Sequence, residues 1–126
     1  MKKIIHTNNA PQAIGPYSQA VVINNFAYIS GQVPVDPTNG EVVEGGTEAQ
    51  AHQVMKNLDA ILKEAGLSFS NVVKASIFLK DLNDFTTVNE IYASYFTDKD
   101  YPARECVQVA RLPRDVNVEI SMIAYI

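Results

Sequence analysis

Cysteine is almost missing from this chain: 126 residues include one, Cys106, beside two histidines. A lone thiol excludes an intrachain disulfide and suits a reducing compartment, so the expected location is the cytoplasm. His6 and His52 stand far apart, with no cysteine or carboxylate at ligand spacing around them, which argues against a metal centre. No apolar run approaches the ~20 residues that cross a bilayer. The opening MKKIIHTNNAP lacks the apolar stretch of a signal peptide, and no membrane partner is expected. Basic residues are few and scattered, ten against fourteen acidic ones for a net charge of -4. The concentrated footprint of a nucleic-acid binder is absent, so nucleic acid is not an expected partner. Neither Ser30-Gly31 nor Gly45-Gly46 sits in a phosphate-loop pattern, and there is no serine nucleophile elbow.

What is present reads as an ordinary globular chain, 47% apolar and 19% charged. The length fits one domain, residues 1–126. A chain of this size buries roughly two thirds of its extended surface and needs no disulfide or metal staple. Repeats, linkers and low-complexity segments are absent.

Ala20–Ile29 reads as two strands joined at Asn24-Asn25, since asparagine tolerates left-handed backbone in a tight hairpin. VPVDPTNGEVV, residues 33–43, follows as extended chain and turn. A helix starts near Thr47, where Thr47 and Gln50 have capping-box spacing. Ala51, Val54, Met55, Leu58, Ile61, Leu62 and Ala65 then share one side, and Gly66 ends it. Val72–Leu79 reads as a strand without clean alternation. Asp81 or Asn83 caps a second helix with Phe85, Val88, Ile91, Tyr92, Tyr95 and Phe96 on its buried stripe. Two strands close the chain, Arg104–Leu112 and Val116–Ile126. The expected architecture is α+β: one sheet with both helices packed on one face.

If Pro113-Arg114 is a two-residue turn, the last two strands pair Cys106 with Ser121, Arg104 with Ile123 and Gln108 with Glu119. Alternation then puts Val107, Val109, Val118, Ile120, Met122 and Ala124 under the helices. Arg104, Cys106, Gln108, Glu119, Ser121, Ile123 and Tyr125 fall on the opposite face, read either as a subunit interface or as a wet sheet surface. A one-residue slip reverses every assignment. In this register Arg104 and Glu119 are about 13 Å apart, so a site using both needs a long reach or two chains.

Arg104 is the leading candidate for chemistry, because a guanidinium holds a carboxylate through two parallel hydrogen bonds and stays charged. A surface or intersubunit salt bridge is the competing role. Cys106 has no histidine motif to activate it and reads as a small buried residue, not a nucleophile. Glu119, inside a strand between Val118 and Ile120, is either a solvated carboxylate or a water-handling base whose pKa burial raises.

At these residues the sequence resembles the Rid (YjgF/YER057c/UK114) family, and within it the RidA-type reactive-intermediate deaminases. The matching stretches are AIGPYSQA at 13–20, YISGQVPVDP at 28–37, DLNDFTTVNEIYASYF at 81–96, PARECVQVARLPRD at 102–115 and VEISMIAY at 118–125. The resemblance implies a chorismate-mutase-like fold and a homotrimer with clefts between subunits. It implies hydrolysis of 2-iminopropanoate (2-aminoacrylate) and 2-iminobutanoate to 2-keto acids and ammonia, without a cofactor. On that likeness Arg104 binds the substrate carboxylate, Glu119 serves the attacking water, and Tyr17, Ser30, Gly31, Asn89 and Cys106 line the cleft. Glu105 departs from the family's usual small hydroxyl residue, and Gln108 and Ser121 replace frequent acids. A non-enzymatic trimeric metabolite sensor is the alternative. RNA cleavage, attributed to some members, ranks low for a chain without a basic track.

Overall fold

A computed structural model describes all 126 residues, Met1–Ile126. Six strands form one sheet: β1 (Lys3–Ile5), β2 (Ala20–Ile23), β3 (Phe26–Gln32), β4 (Val72–Leu79), β5 (Ala103–Gln108) and β6 (Val118–Tyr125). Two helices, α1 (Gly46–Glu64) and α2 (Phe85–Ser94), complete the α+β fold. Across the sheet the order is β1-β2-β3-β6-β4-β5. Every pairing is antiparallel except β4 with β5, whose parallel register needs the crossover that α2 supplies.

Asn24 and Asn25 both take positive φ, 51° and 67°, and close the β2–β3 hairpin as their side chains allow. The short strand β1, which the sequence reading passes over, pairs Ile4 with Val21. Residues 33–43 contribute one isolated bridge, Val35 to Val42. The buried Asn57 amide of α1 holds that segment by donating to the Val33 and Val35 carbonyls at 3.2 and 3.0 Å.

The capping box expected at Thr47 does not form. Gly45, at φ 112°, turns the chain into α1 instead. Thr47 Oγ1 donates to Asp84 Oδ2 and accepts from Asn117 Nδ2, while Gln50 Oε1 accepts from the Asn117 N–H. The pair that spacing assigns to a local cap thus bonds at long range, tying α1 to the start of α2 and to the run into β6. Asp81 does open the second helical segment, its carboxylate accepting from the Asn83 N–H in a 3₁₀ turn that leads into α2.

Both helices lie on one sheet face. Val54, Met55, Leu58, Ile61 and Leu62 of α1 and Val88, Ile91 and Tyr92 of α2 pack over Ala75, Ile77, Leu79, Val118, Ile120 and Met122. No helix covers the other face, where Tyr28, Val107 and Tyr125 are 43%, 43% and 50% exposed.

The proposed pairing of the last two strands is overturned. β4 lies between β5 and β6, so Arg104 faces Ala75, Cys106 faces Ile77 and Gln108 faces Leu79. Glu119 instead stands beside Phe78, Ser121 beside Ser76 and Ile123 beside Lys74. Residues 109–117 are a connection, not a tight hairpin, with a 3₁₀ turn in which Arg114 and Asp115 both have positive φ. The expectation for β6 stands: Val118, Ile120, Met122 and Ala124 are buried under the helices. The expectation for β5 is inverted, with Arg104, Cys106 and Gln108 on the helix side and Val107 on the open face.

Candidate active site

Arg104 leaves the edge strand β5 toward α2. One of its terminal nitrogens donates to Asn89 Oδ1 at 2.7 Å. Its guanidinium carbon lies 5.2 Å from the Tyr92 ring centroid and 5.6 Å from that of Phe85. Arg104, Asn89 and Tyr92, with Ala93, Tyr101 and Pro102, line an open groove of ≈ 480 Å³. The chain's ion pairs are Asp59–Lys63, Lys74–Glu105 and Arg111–Asp115, so Arg104 keeps an uncompensated charge. The salt-bridge alternative finds no acidic partner within the chain.

Cys106 points to the same side and packs against the core. Burial pushes its thiol up, with Arg104 pulling the other way and losing. Cys106 is half-buried, not fully buried as expected, and no neighbour activates it as a nucleophile. Glu105 points to the open face, where Ser76 Oγ donates to it and Lys74 Nζ pairs with it at 3.0 Å. The Ser76 hydrogen bond, then Lys74, hold its carboxyl below the usual range. Its negative charge therefore faces away from the Arg104 groove. Gln108 does not approach Glu119; its side-chain oxygen accepts from the Leu82 N–H at 2.8 Å, fixing the approach to α2.

Glu119 occupies the opposite, open face. β3 and β6 slip register between Ile29 and Gln32, and within that slip Gly31 comes against it. The Glu119 carboxyl lies against Gly31 so closely that a Cβ there would fall 2.8 Å from its Cδ and 3.1 Å from its Cγ. A side chain at residue 31 would displace the Glu119 carboxyl from this position, so Gly31 leaves it room; its φ is not in the left-handed region. Burial raises the Glu119 pKa, and no cation or hydrogen-bond donor offsets it. Ser30 Oγ donates to the Ser18 carbonyl at 2.6 Å, and Ser18, Ser30, Tyr17 and Tyr28 border a second groove.

The seven residues singled out from the sequence thus form two groups. Arg104, Asn89 and Cys106 lie on the helix side at the β5 edge. Tyr17 and Ser30, which border one groove, and Gly31 and Glu119, which touch each other, lie away from that edge. The spacing of about 13 Å falls with the register it was built on, and the separation of Arg104 from Glu119 has another cause: β4 stands between their strands and the two side chains leave opposite faces of the sheet. The sequence reading missed Phe85 and Tyr92 as neighbours of the cation and assigned them to the core stripe. The polar Asn89 within that stripe was the available signal, since residues 85, 89 and 92 share a helix face.

Residues 7–126 match the family described as Endoribonuclease L-PSP. A mouse 2-iminobutanoate/2-iminopropanoate deaminase is 55% identical over 124 residues, spanning 98% of this chain and 91% of its own. The chain belongs to the Rid family. A RutC family protein of Pyrococcus horikoshii is 52% identical over 125 residues, covering 99% of this chain and 98% of its own. Among solved structures, the Rid protein YyfA of Yersinia pestis superposes with a TM-score of 0.98 at 47% identity, each chain covered fully at 100%. TdcF of E. coli with bound serine gives 0.93 at 47% identity, with 98% of each chain covered. These matches span the stretches of chain that carry both groups of candidate residues.

Proposed function

We propose that this chain, acting as one catalytic domain over residues 1–126, is a 2-iminobutanoate/2-iminopropanoate deaminase. It hydrolyses short 2-imino acids, or the enamines in equilibrium with them, to 2-keto acids and ammonia. The observation that carries the reading is the uncompensated Arg104 guanidinium in an open groove, in a chain that shares about half its residues with deaminases of that name.

Arg104 binds the substrate carboxylate and so fixes the adjacent imine carbon. A protonated imine is already electrophilic. Glu119 orients a water and accepts a proton as its oxygen bonds to that carbon, giving a carbinolamine. The nitrogen takes up a proton and leaves as ammonia, while the hydroxyl proton is lost and the carbonyl forms. A carboxyl raised by burial is a stronger base than an exposed one, which suits it to the task. Tyr17 and Ser30 wall the cleft, the Cys106 and Gly31 backbones face the reacting nitrogen or water, and Asn89 orients the cation.

Because the two groups lie on opposite sides of one sheet, the working site joins Arg104 of one copy to Glu119 of another. A homotrimer of chorismate-mutase-like form, its open sheet faces turned inward, supplies three such clefts. The apolar, half-polar composition of the open face fits that burial. The single unpaired thiol fits a reducing compartment such as the cytoplasm.

Keto-acid and ammonia release from freshly generated 2-iminobutanoate tests this. Arg104→Ala should lose roughly 100-fold or more in kcat/KM, the loss of two charge-assisted hydrogen bonds, while Cys106→Ser keeps most activity. Near-normal turnover by Arg104→Ala ends the clamp. Serine bound to TdcF favours one second reading, a metabolite sensor, which predicts keto-acid binding without accelerated imine loss. Running RNA as a parallel substrate tests the family's ribonuclease name.

A further inference from the structure

Arg104 stands on an edge strand with a long, exposed side chain, which by default samples many rotamers and loses that freedom on binding. Three residues of α2 limit it: Phe85, Asn89 and Tyr92. We infer that Phe85 and Tyr92 are positioning residues for the substrate-binding cation, forming with the Asn89 amide a charge-neutral cradle that aims the guanidinium at the substrate carboxylate. The inference rests on the reading of Arg104 as the clamp.

The geometry is specific. The guanidinium carbon is 5.2 Å from one ring centroid and 5.6 Å from the other, within range for attraction to a ring face. Asn89 Oδ1 takes one N–H at 2.7 Å and leaves the remaining donors of the fork free. A carboxylate in the place of Asn89 would hold the arginine as well, but it would cancel the charge and compete with an anionic ligand. The nearest acid in sequence, Glu105, is turned to the other face and engaged by Lys74 and Ser76. Orientation without neutralisation is what a binding cation requires.

Tyr92 is otherwise a poor core residue. It is 3% exposed, and its hydroxyl is buried without a hydrogen-bond partner. The cation sees the ring, so the ring and the hydroxyl can be tested separately. Tyr92→Leu keeps an apolar side chain but removes the π face, whereas Tyr92→Phe keeps the face.

KM and kcat for 2-iminobutanoate, Kd for 2-oxobutanoate, thermal melts and the ¹H–¹⁵N signal of the Arg104 Nε–H are measured for wild type and both variants. The leucine variant should raise KM and Kd about three- to tenfold, within the range of a cation–π contact, with kcat little changed. The phenylalanine variant should restore wild-type values. The Arg104 Nε–H signal, shifted by the ring current, should move in the leucine variant and stay in the phenylalanine variant. Unchanged KM in a folded leucine variant overturns the cradle, as does an unmoved Arg104 signal. Equal impairment of both variants would place the effect in the hydroxyl, and also overturns it. Should wild type fail to turn over the imine, the deaminase reading fails, while the Arg104 signal still judges the cradle in the free protein.

Discussion

Glu119 contributes to the open face a carboxyl with no donor to balance its partial burial, and its pKa is raised as a result. An acid whose folded pKa lies above its unfolded value stabilises the fold below the unfolded pKa and loses that contribution as pH rises through the folded one. Glu119→Gln should therefore be more stable than wild type near neutral pH, with the gap closing as pH falls toward about 4, the unfolded value. Thermal melts of both proteins across that window check the sign; a gap that widens on acidification would contradict it. The same variant should lose most deaminase activity, because an amide cannot accept the proton from water. Activity and stability would then move in opposite directions at one position, a familiar cost of functional burial. At this scale the sequence was informative where a residue type carries its own chemistry. Arg104 and Glu119 could be singled out because a guanidinium at a strand start and a carboxylate between two β-branched residues are conspicuous. Gly31 could not be explained that way, since its need for space depends on where the Glu119 side chain lies.

Among the elements, the segment at 33–43 has little regular structure of its own and depends on α1. Asn57, fully buried at 0% exposure, satisfies the Val33 and Val35 carbonyls. Asn57→Ala strands both, and should cost about 1–3 kcal/mol. A lowered urea midpoint with an unchanged slope would show it; an unchanged midpoint would mean that water replaces the amide. The helices and the Asn24-Asn25 hairpin were legible because their signals are local: a 3.6-residue apolar stripe, a terminating Gly66 and two residues tolerant of positive φ. The partner of β5 was not. Val72–Leu79 gave a hint through its weak alternation, as expected of a central strand, yet nothing local says that it inserts between β5 and β6. A parallel neighbour reached through α2 leaves no turn signal to read. The error therefore fell where pairing is decided by non-local packing, and it carried Arg104, Cys106 and Gln108 to the wrong face.

For the whole molecule, the opposed placement of Arg104 and Glu119 makes a quantitative demand. If each cleft takes its cation from one copy and its carboxylate from the next, two inactive variants can repair one another. Arg104→Ala and Glu119→Gln chains, mixed equally and reassembled at random into cyclic trimers, form at least one of each in three quarters of assemblies. Each such ring holds one intact cleft of three, so about a quarter of wild-type activity should return. Denaturing and refolding the mixture, followed by the imine assay, reads this directly. No recovery from properly assembled mixtures would place the whole site within a chain and defeat the shared-cleft reading.

The sheet that divides Arg104 from Glu119 has a consequence in time as well as in space. A newly made copy carries the Arg104 cation on one side and the Glu119 carboxyl on the other, with no route between them. Under the shared-cleft arrangement it is catalytically silent until it meets its fellows. Specific activity should then fall on dilution, and the encounter of identical chains becomes the step that turns the chemistry on.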